Sequence, residues 1–590
     1  MTLDTMTPRR QIDPITFRVI GGAFEAIAQE MASVQIRMSI SGIIRESEDM
    51  GAGIFDPTGR EICESDTSPM HIGSLPWYIR GIRETWGDDW SDGDVVLHNH
   101  PYKGASHSPD AAIVMPIFFE GEAVAFAGVT GHMLDLGGAA PGLNMDVVDV
   151  WAENKLYDAL KIYEAGKLNK ELWRHVLFNT RVPEENRGDL DAMIAACRVG
   201  RDRFTELLGR YGRQTVFEAA EEWMDYSEFM MRRQIEKIPD GRYQAPTGWL
   251  DDNGRDRGRP LRVECAVEVS GSDITVDLTG SEPESPTSYN SPFEGATQVA
   301  AYYIIRTILL DDALNDVHVP QNDGIFRAIK VVAPEGTIYN PRFPRACSGR
   351  FMKCERICDN VILALSEPWP ERTTAGNGAV CHAISYSGFL PEKSQYWVYM
   401  EINEASYGGR FGKDGLDSVD SLLVNTRNNP IEDLEGRYPL RCERYELRSE
   451  PPAPGRWRGG VGIVRETRYL VDGFVSSEAD RHYDPPKGVY GGSDGRVARM
   501  TRNPGSESEE ALPALLTGVE FKKGDLLRIE TPSSAGYGDP LLRDPAAVAA
   551  DVLDGFLDRA EALAAYGVVV GPGGEVDEAA TERERAQRGR

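Results

Sequence analysis

The chain has 590 residues, 41% of them apolar and 9% aromatic, so core-building is not in question and roughly three to five domains are expected. Its 93 acidic against 64 basic side chains give a net charge of −29, a field that repels nucleic acid and anionic membranes alike. Eight cysteines occur with no C-x-x-C pair, which excludes a zinc ribbon or a thioredoxin-like motif.

The N-terminal MTLDTMTPRRQIDP has no apolar stretch, and no run approaches the roughly 18 apolar residues of a membrane span, so a cytoplasmic protein is expected. Asp13-Pro14 opens a helix, Asp as N-cap and Pro in the first turn. Its apolar stripe is Ile15, Val19, Phe24, Ile27 and Met31, ending near Ser39. Two strands, 51–55 and 60–65, flank the turn tetrad Asp56-Pro57-Thr58-Gly59. A second hairpin runs Ala111–Phe119 and Ala123–Thr130, turning at Glu120-Gly121-Glu122. Residues 184–238 read as helix, with Leu190, Ile194, Cys197, Phe204 and Leu208 at core spacing and a break at Gly209–Gly212.

Beyond Pro239-Asp240-Gly241 the texture changes. Residues 263–280 alternate as hairpin strands about a Gly-centred turn. Helices are expected over Ala296–Leu310 and Arg350–Ser366, the latter carrying Cys354 and Cys358 on one face as packed thiols. Residues 441–531 hold strands and turns, with no helix until Pro545, and the polar segment 578–590 reads as frayed. The class is α+β and multidomain. Its parts are 1–240, a mixed α/β metal-site part with the helical segment; 241–440, a central α+β part; 441–546, a β-rich part; and 547–590, a C-terminal helix and frayed tail.

The chemistry gathers on the second hairpin. An antiparallel hairpin turning near residue 121 pairs positions whose numbers sum to about 241, so 110 lies across from 131 and 107 near 134. His107-Ser-Pro-Asp110 then stands beside Gly131-His132-Met-Leu-Asp135 at the open end. Pro109 forces Ser108 out of helical geometry. Gly131, Gly137 and Gly138 let the backbone approach closely. The open end of the first hairpin adds Asp49. Mixed imidazole and carboxylate ligation suits Mn²⁺, Fe²⁺ or Zn²⁺. Asp49, His107, Asp110 and His132 would leave one coordination position for water, whose pKa such an ion lowers towards neutrality. Asp135 could instead orient His132 by a hydrogen bond.

Other features weigh less. His98 and His100 are rival ligands or strand-end hydrogen-bonders, and His71 is a further candidate. His175, His318, His382 and His482 read as ordinary structural or surface histidines. Asn179, Arg181 and Arg187 could hold an anion, against helix-capping and salt-bridge roles. Gly491-Gly-Ser-Asp-Gly495 fits the letters of a nucleophile elbow but has no following helix, and no P-loop or dinucleotide fingerprint occurs.

The chain resembles the hydantoinase B / oxoprolinase family, which includes the β subunit of caprolactamase and related subunits of acetone and acetophenone carboxylases. The resemblance follows nearly the whole chain. It lies in DPITFRVIGGAFEAIAQEM (13–31), IIRESEDMGAGIFDPTGR (43–60), GDVVLHNHPYKGASHSPD (93–110), GHMLDLGGAAPG (131–142) and FNTRVPEENRGDLDAMIAACR (178–198). ACSGRFMKCERICDNVILAL (346–365), LEGRYPLRCERYELR (434–448), GRWRGGVGIVRE (455–466) and AGYGDPLLRDP (535–545) complete it. Two departures stand out: Asn99-His100-Pro101 where the family often reads Asn-Asp-Pro, and Thr531-Pro-Ser-Ser-Ala-Gly-Tyr-Gly538 where it often has a glycine run.

The resemblance implies metal ligands at Asp49, His107, Asp110 and His132, with zinc or manganese as the ion; Asp135, a neighbour of that set, is expected to give general-base support. It implies a small-molecule substrate and a partner A-type subunit of actin/hexokinase-like ATPase fold, which carries ATP and Mg. The expected assembly is a hetero-oligomer, α2β2 or larger. The expected function is the metal-site subunit of a two-component, ATP-dependent hydrolase of hydantoins, lactams or oxoproline. Alternatives are a subunit of an ATP-dependent ketone carboxylase and a non-catalytic scaffold.

Overall fold

The computed structural model describes residues 12–311, 317–380, 382–420 and 422–588; Cys381 and the first eleven positions lie outside them. Asp13 caps helix α1 (Pro14–Met38) by accepting from the Ile15 and Thr16 amides. The buried stripe differs from the expected one at its start. Ile15 and Val19 are exposed (76% and 49%), and Phe17 and Ile20 turn inwards instead, Phe17 meeting the edge of Trp223 at 5.2 Å.

Both expected hairpins form. Strands β1 (Met50–Phe55) and β2 (Glu61–Glu64) pair across the Asp56–Gly59 turn. After helix α2 (Leu75–Trp86) and β3 (Val95–His98) come β4 (Asp110–Phe119) and β5 (Glu122–His132). With β6 (Leu160–Glu164) and β7 (Lys167–Leu168) they make one antiparallel sheet in the order β2-β1-β5-β4-β3-β6-β7. Helix α3 (Lys170–Phe178) leads to the long helices α4 (Pro183–Tyr211) and α5 (Arg213–Ile235), which break at Gly212 with φ +80°. Leu190, Ile194, Cys197, Phe204 and Leu208 are all buried, and α4 lies against both α1 and the sheet.

A second sheet, in the order β11-β10-β9-β8, is built from β8 (Gly241–Gln244), β9 (Ala266–Ser270), β10 (Asp273–Asp277) and β11 (Ile329–Val332). The β9–β10 turn is the expected glycine-centred one. Helix α6 (Val299–Leu309) packs on α7 (Phe351–Ser366). Every residue of α7 from Met352 to Leu365 is buried, the charged ones included. Arg356 pairs with Asp480 and Asp359 with Arg481, each at 2.6 Å, while Glu355 accepts from the Leu423 amide. Cys354 and Cys358 are buried free thiols, like the other described cysteines except half-buried, also free, Cys442.

The last third is β-rich, as expected. Strands β12 (His382–Leu390), β13 (Gln395–Asn403), β14 (Leu440–Leu447), β15 (Ile463–Tyr469) and β16 (Gly473–Glu478) are followed by β17 (Arg499–Arg502), β18 (Glu510–Leu512), β19 (Leu516–Phe521) and β20 (Leu526–Glu530). They form two antiparallel sheets, β13-β12-β16-β19 and β14-β15-β20-β17-β18, with Tyr386, Tyr399, Tyr469, Phe521 and Ile529 among the core residues. The largest apolar core takes residues from Ile12 to Val424 and Leu515, so it runs unbroken across the change of texture at 240.

The segment expected to fray is a helix, Glu578–Arg588, with Thr581 buried. Arg585 holds it down by donating to the carbonyls of Tyr566 and Arg543, contacts that composition alone does not announce. Among the described residues no helix is long and apolar enough to cross a membrane.

Candidate metal centre

Three adjacent strands of the first sheet end at one edge. Asp110 is the first residue of β4, His132 the last of β5, and Asp49 immediately precedes β1. The register differs from the simple hairpin rule by one residue, and that residue matters. A bulge between Ile117 and Phe118 shifts the pairing so that Asp110 faces His132 directly. Directly opposed residues point to the same side of a sheet, so the bulge puts acid and imidazole on one face.

The group is tight. Oδ1 of Asp110 lies 2.9 Å from both His107 Nε2 and His132 Nδ1. Its Oδ2 accepts from Arg350 Nη2 at 2.6 Å and from the Ser106 hydroxyl. The possible ligand atoms of His107, Asp110 and His132 all lie within 4.8 Å of one another, and all three residues are buried. Asp49 borders them, its Oδ2 4.0 Å from His132 Nδ1 and its Oδ1 3.0 Å from His71 Nε2.

Electrostatics fit a cation here. Burial would raise the Asp110 carboxyl, but His107 and the permanently charged Arg350 outweigh it and hold the group well below the usual carboxylate range. His107 Nδ1 faces the Ser348 carbonyl at 2.8 Å, an acceptor only, so Nδ1 carries the proton. Its other nitrogen, Nε2, then turns a lone pair towards the Asp110 carboxylate unless a second proton or a metal lies between. Burial and the Arg350 charge push the imidazolium down to about 4, which disfavours the second proton. For His132, burial would lower the ring, yet the hydrogen bond and charge of Asp110, with Asp49, raise it; its Nε2 is buried and has no partner. Two imidazoles, one oriented by a backbone carbonyl, beside an ionised carboxylate make a donor set that could hold a divalent ion.

The group opens on a cavity of about 30 Å³. Asp49, His107, His132 and Arg350 line it, together with Ala383, Met400, Ile402 and Glu478 of the C-terminal sheet.

The remaining candidates fall elsewhere. Asp135 is not brought to the imidazoles by its carboxylate, which accepts from the Gly137 and Gly142 amides and from both the amide and the guanidinium of Arg181. Its carbonyl accepts from Thr180 and Asn186. This geometry makes Asp135 the anchor of the 135–142 loop, where a side chain at Gly137 or Gly138 would run into the carbonyl of Asn179 or Glu153. Arg181 is used in that anchor, Asn179 caps α3, and exposed Arg187 faces Asp191. His98 bonds the Lys103 carbonyl and the Ala159 amide, and His100 accepts from Tyr102 and stacks on Phe343. His71 is at the centre, bonded to Asp49, so one of the weaker expected positions is structurally engaged. Arg350 and Glu478 carry no signal in the sequence; no spacing links them to the hairpin.

Replacing Asp135 by asparagine is expected to weaken the loop anchor by about 1–2 kcal/mol while metal content stays at the wild-type level. Proteolysis rates across 136–182 and metal analysis would check it; lost metal with an unchanged loop would give Asp135 a part at the ion.

The family model described as Hydantoinase B/oxoprolinase matches residues 13–540. A protein of Pseudomonas sp. (strain NS671), named as the B component of a D-/L-hydantoinase, is 44% identical over 582 residues, 97% of this chain and 98% of that one. The crystal structure of ATP-dependent caprolactamase from Pseudomonas jessenii superposes with a TM-score of 0.88 at 29% identity, covering 98% of this chain and 100% of that chain. Nucleotide-free acetone carboxylase shares the fold, with a TM-score of 0.86 at 20% identity over 100% of this chain and 84% of that one.

Proposed function

Because the chain belongs to the hydantoinase B/oxoprolinase family, we propose that it is the metal-site subunit of an ATP-dependent enzyme that opens cyclic amides, working with a separate A-type ATPase subunit. The observation that carries this is the buried His107–Asp110–His132 group on a cavity, in a chain whose relatives are named as the B component of a hydantoinase and as an ATP-dependent caprolactamase.

An unactivated ring amide is a poor electrophile, and phosphorylation of its oxygen by the partner makes the carbon attackable. His107, Asp110 and His132, with Asp49 at their margin, would hold the ion. When bound, a divalent ion supplies Lewis-acid chemistry: it lowers the pKa of water and stabilises negative charge developing on oxygen. The chain's own residues do the rest. The Ser348 carbonyl fixes the His107 ring, and Arg350 keeps Asp110 ionised. Arg350 also brings a positive charge to the cavity wall, which would favour an anionic phosphoryl group drawing near.

The test is reconstitution with an A-type partner, ATP and magnesium on hydantoin, ε-caprolactam and 5-oxoproline. Ring opening that needs both subunits and ATP, with about one divalent ion per chain, is the expected result. Bicarbonate-dependent consumption of acetone or acetophenone without ring opening would overturn it.

A further inference from the structure

The cavity lined by the two imidazoles is also lined by a carboxyl group that the metal-site chemistry does not use. Glu478 ends β16, beside Ala383 of β12, and is 2% exposed. Its Oε1 accepts from the Phe351 and Met352 amides at 2.8 and 3.2 Å, at the start of α7. Both helix bonds fall on that one oxygen, which leaves Oε2 for the cavity that the residue lines.

We propose that Glu478 is the proton-transfer residue of the ring opening, the part expected of Asp135 from the sequence. This rests on the function proposed above. As water adds to the carbon of the phosphorylated amide, the C–O bond forms and Oε2 takes the water's proton. It passes that proton to the ring nitrogen. The remaining hydroxyl proton follows the same route as the C–N bond breaks, its electron pair leaving with nitrogen. The products of this step are an acyl phosphate and the freed nitrogen, an amine from a lactam or the ureido NH₂ from a hydantoin; a second water hydrolyses the acyl phosphate to carboxylate and inorganic phosphate.

The surroundings suit a group that must both take and give a proton. Burial raises the Glu478 carboxyl above its ordinary range, while Lys353, the Met352 amide and Arg350 pull it back. Lys353 itself is buried over the Tyr289 ring, its Nζ without a hydrogen-bond partner, and burial pushes it down to about 7. The charged or titratable groups near Glu478 include Lys353, Arg350 and Cys354 at the start of α7, Tyr289 and, on its own segment, Asp480; Asp49, His107 and His132 line the same cavity.

Glu478→Gln keeps an acceptor for the two helix amides and removes the proton carrier. In the metal-loaded complex with its A-type partner, on whichever of hydantoin, ε-caprolactam or 5-oxoproline the wild type opens, kcat should fall by about 10²-fold. Metal content should hold, and the decline of kcat as pH falls through the raised carboxyl pKa should vanish. Glu478→Asp should restore that acid limb at reduced rate. Wild-type turnover by Glu478→Gln, an acid limb that survives in it, or loss of its metal would overturn the proposal. A wild-type complex that opens no ring would sink the functional proposal and this one together; an active wild type beside an equally active variant sinks this one alone.

Discussion

His107→Ala is expected to empty the centre and to lower ATP-coupled ring opening by on the order of 10³-fold or more, since a bound ion is worth several kcal/mol of charge stabilisation. The ring is tied through Nδ1 to the Ser348 carbonyl, and its Nε2 faces Asp110 Oδ1 at 2.9 Å. Alanine removes a donor atom and also the strut between the loop before β4 and the loop before α7. Metal analysis after gel filtration and single-turnover assays in the reconstituted complex would read both effects. Retained stoichiometric metal with full activity would remove His107, and with it the centre as described.

Arg350→Met should strongly lower the local stability of the centre. The pair with Asp110 spans 2.6 Å, and its side chains are only 3% and 0% exposed. Removing one partner of a buried pair strands the other charge, at about 3–5 kcal/mol. The burden falls on Asp110, whose second oxygen would keep only the Ser106 hydroxyl. A bound divalent ion neutralises part of the stranded charge, so the loss should be larger in chelator-treated protein than in loaded protein. Hydrogen exchange of the β4 and β5 amides would report the local opening free energy in each state. Equal protection in wild type and variant, loaded or stripped, would refute the account.

What is legible in the sequence is what the chain encodes locally. Asp13 and Pro14 start α1 through contacts within four residues, and the Asp56–Gly59 and Glu120–Glu122 turns place their strands without outside help. The hairpin therefore brings His107, Asp110 and His132 together on sequence grounds alone. It does not reveal the bulge at Ile117, because a one-residue slip is decided by packing on both faces of β4 and leaves alternation intact around it. Arg350 and Glu478 are out of reach for a different reason: 240 and 368 positions beyond Asp110, they arrive through tertiary packing with no local spacing. His71 sits in a compact turn whose residues look like any other loop. Asp135 misleads because its spacing from His132 fits a ligand pattern, while its oxygens are needed to close a glycine-rich loop.

The charged interior of α7 has a consequence for how the protein matures. Arg350 reaches β4, Arg356 and Asp359 reach the segment after β16, and Glu355 reaches the stretch before β14. A greasy helix can slide or rotate by a turn and still be comfortable, but one bolted through several ion pairs has a single seat. Synthesis of the first 240 residues thus delivers every imidazole and carboxylate of the centre without the guanidinium that sets them. A nascent or clipped chain ending before β16 leaves α7 without its partners Asp480 and Arg481, and is expected to bind a divalent ion more weakly than the full chain.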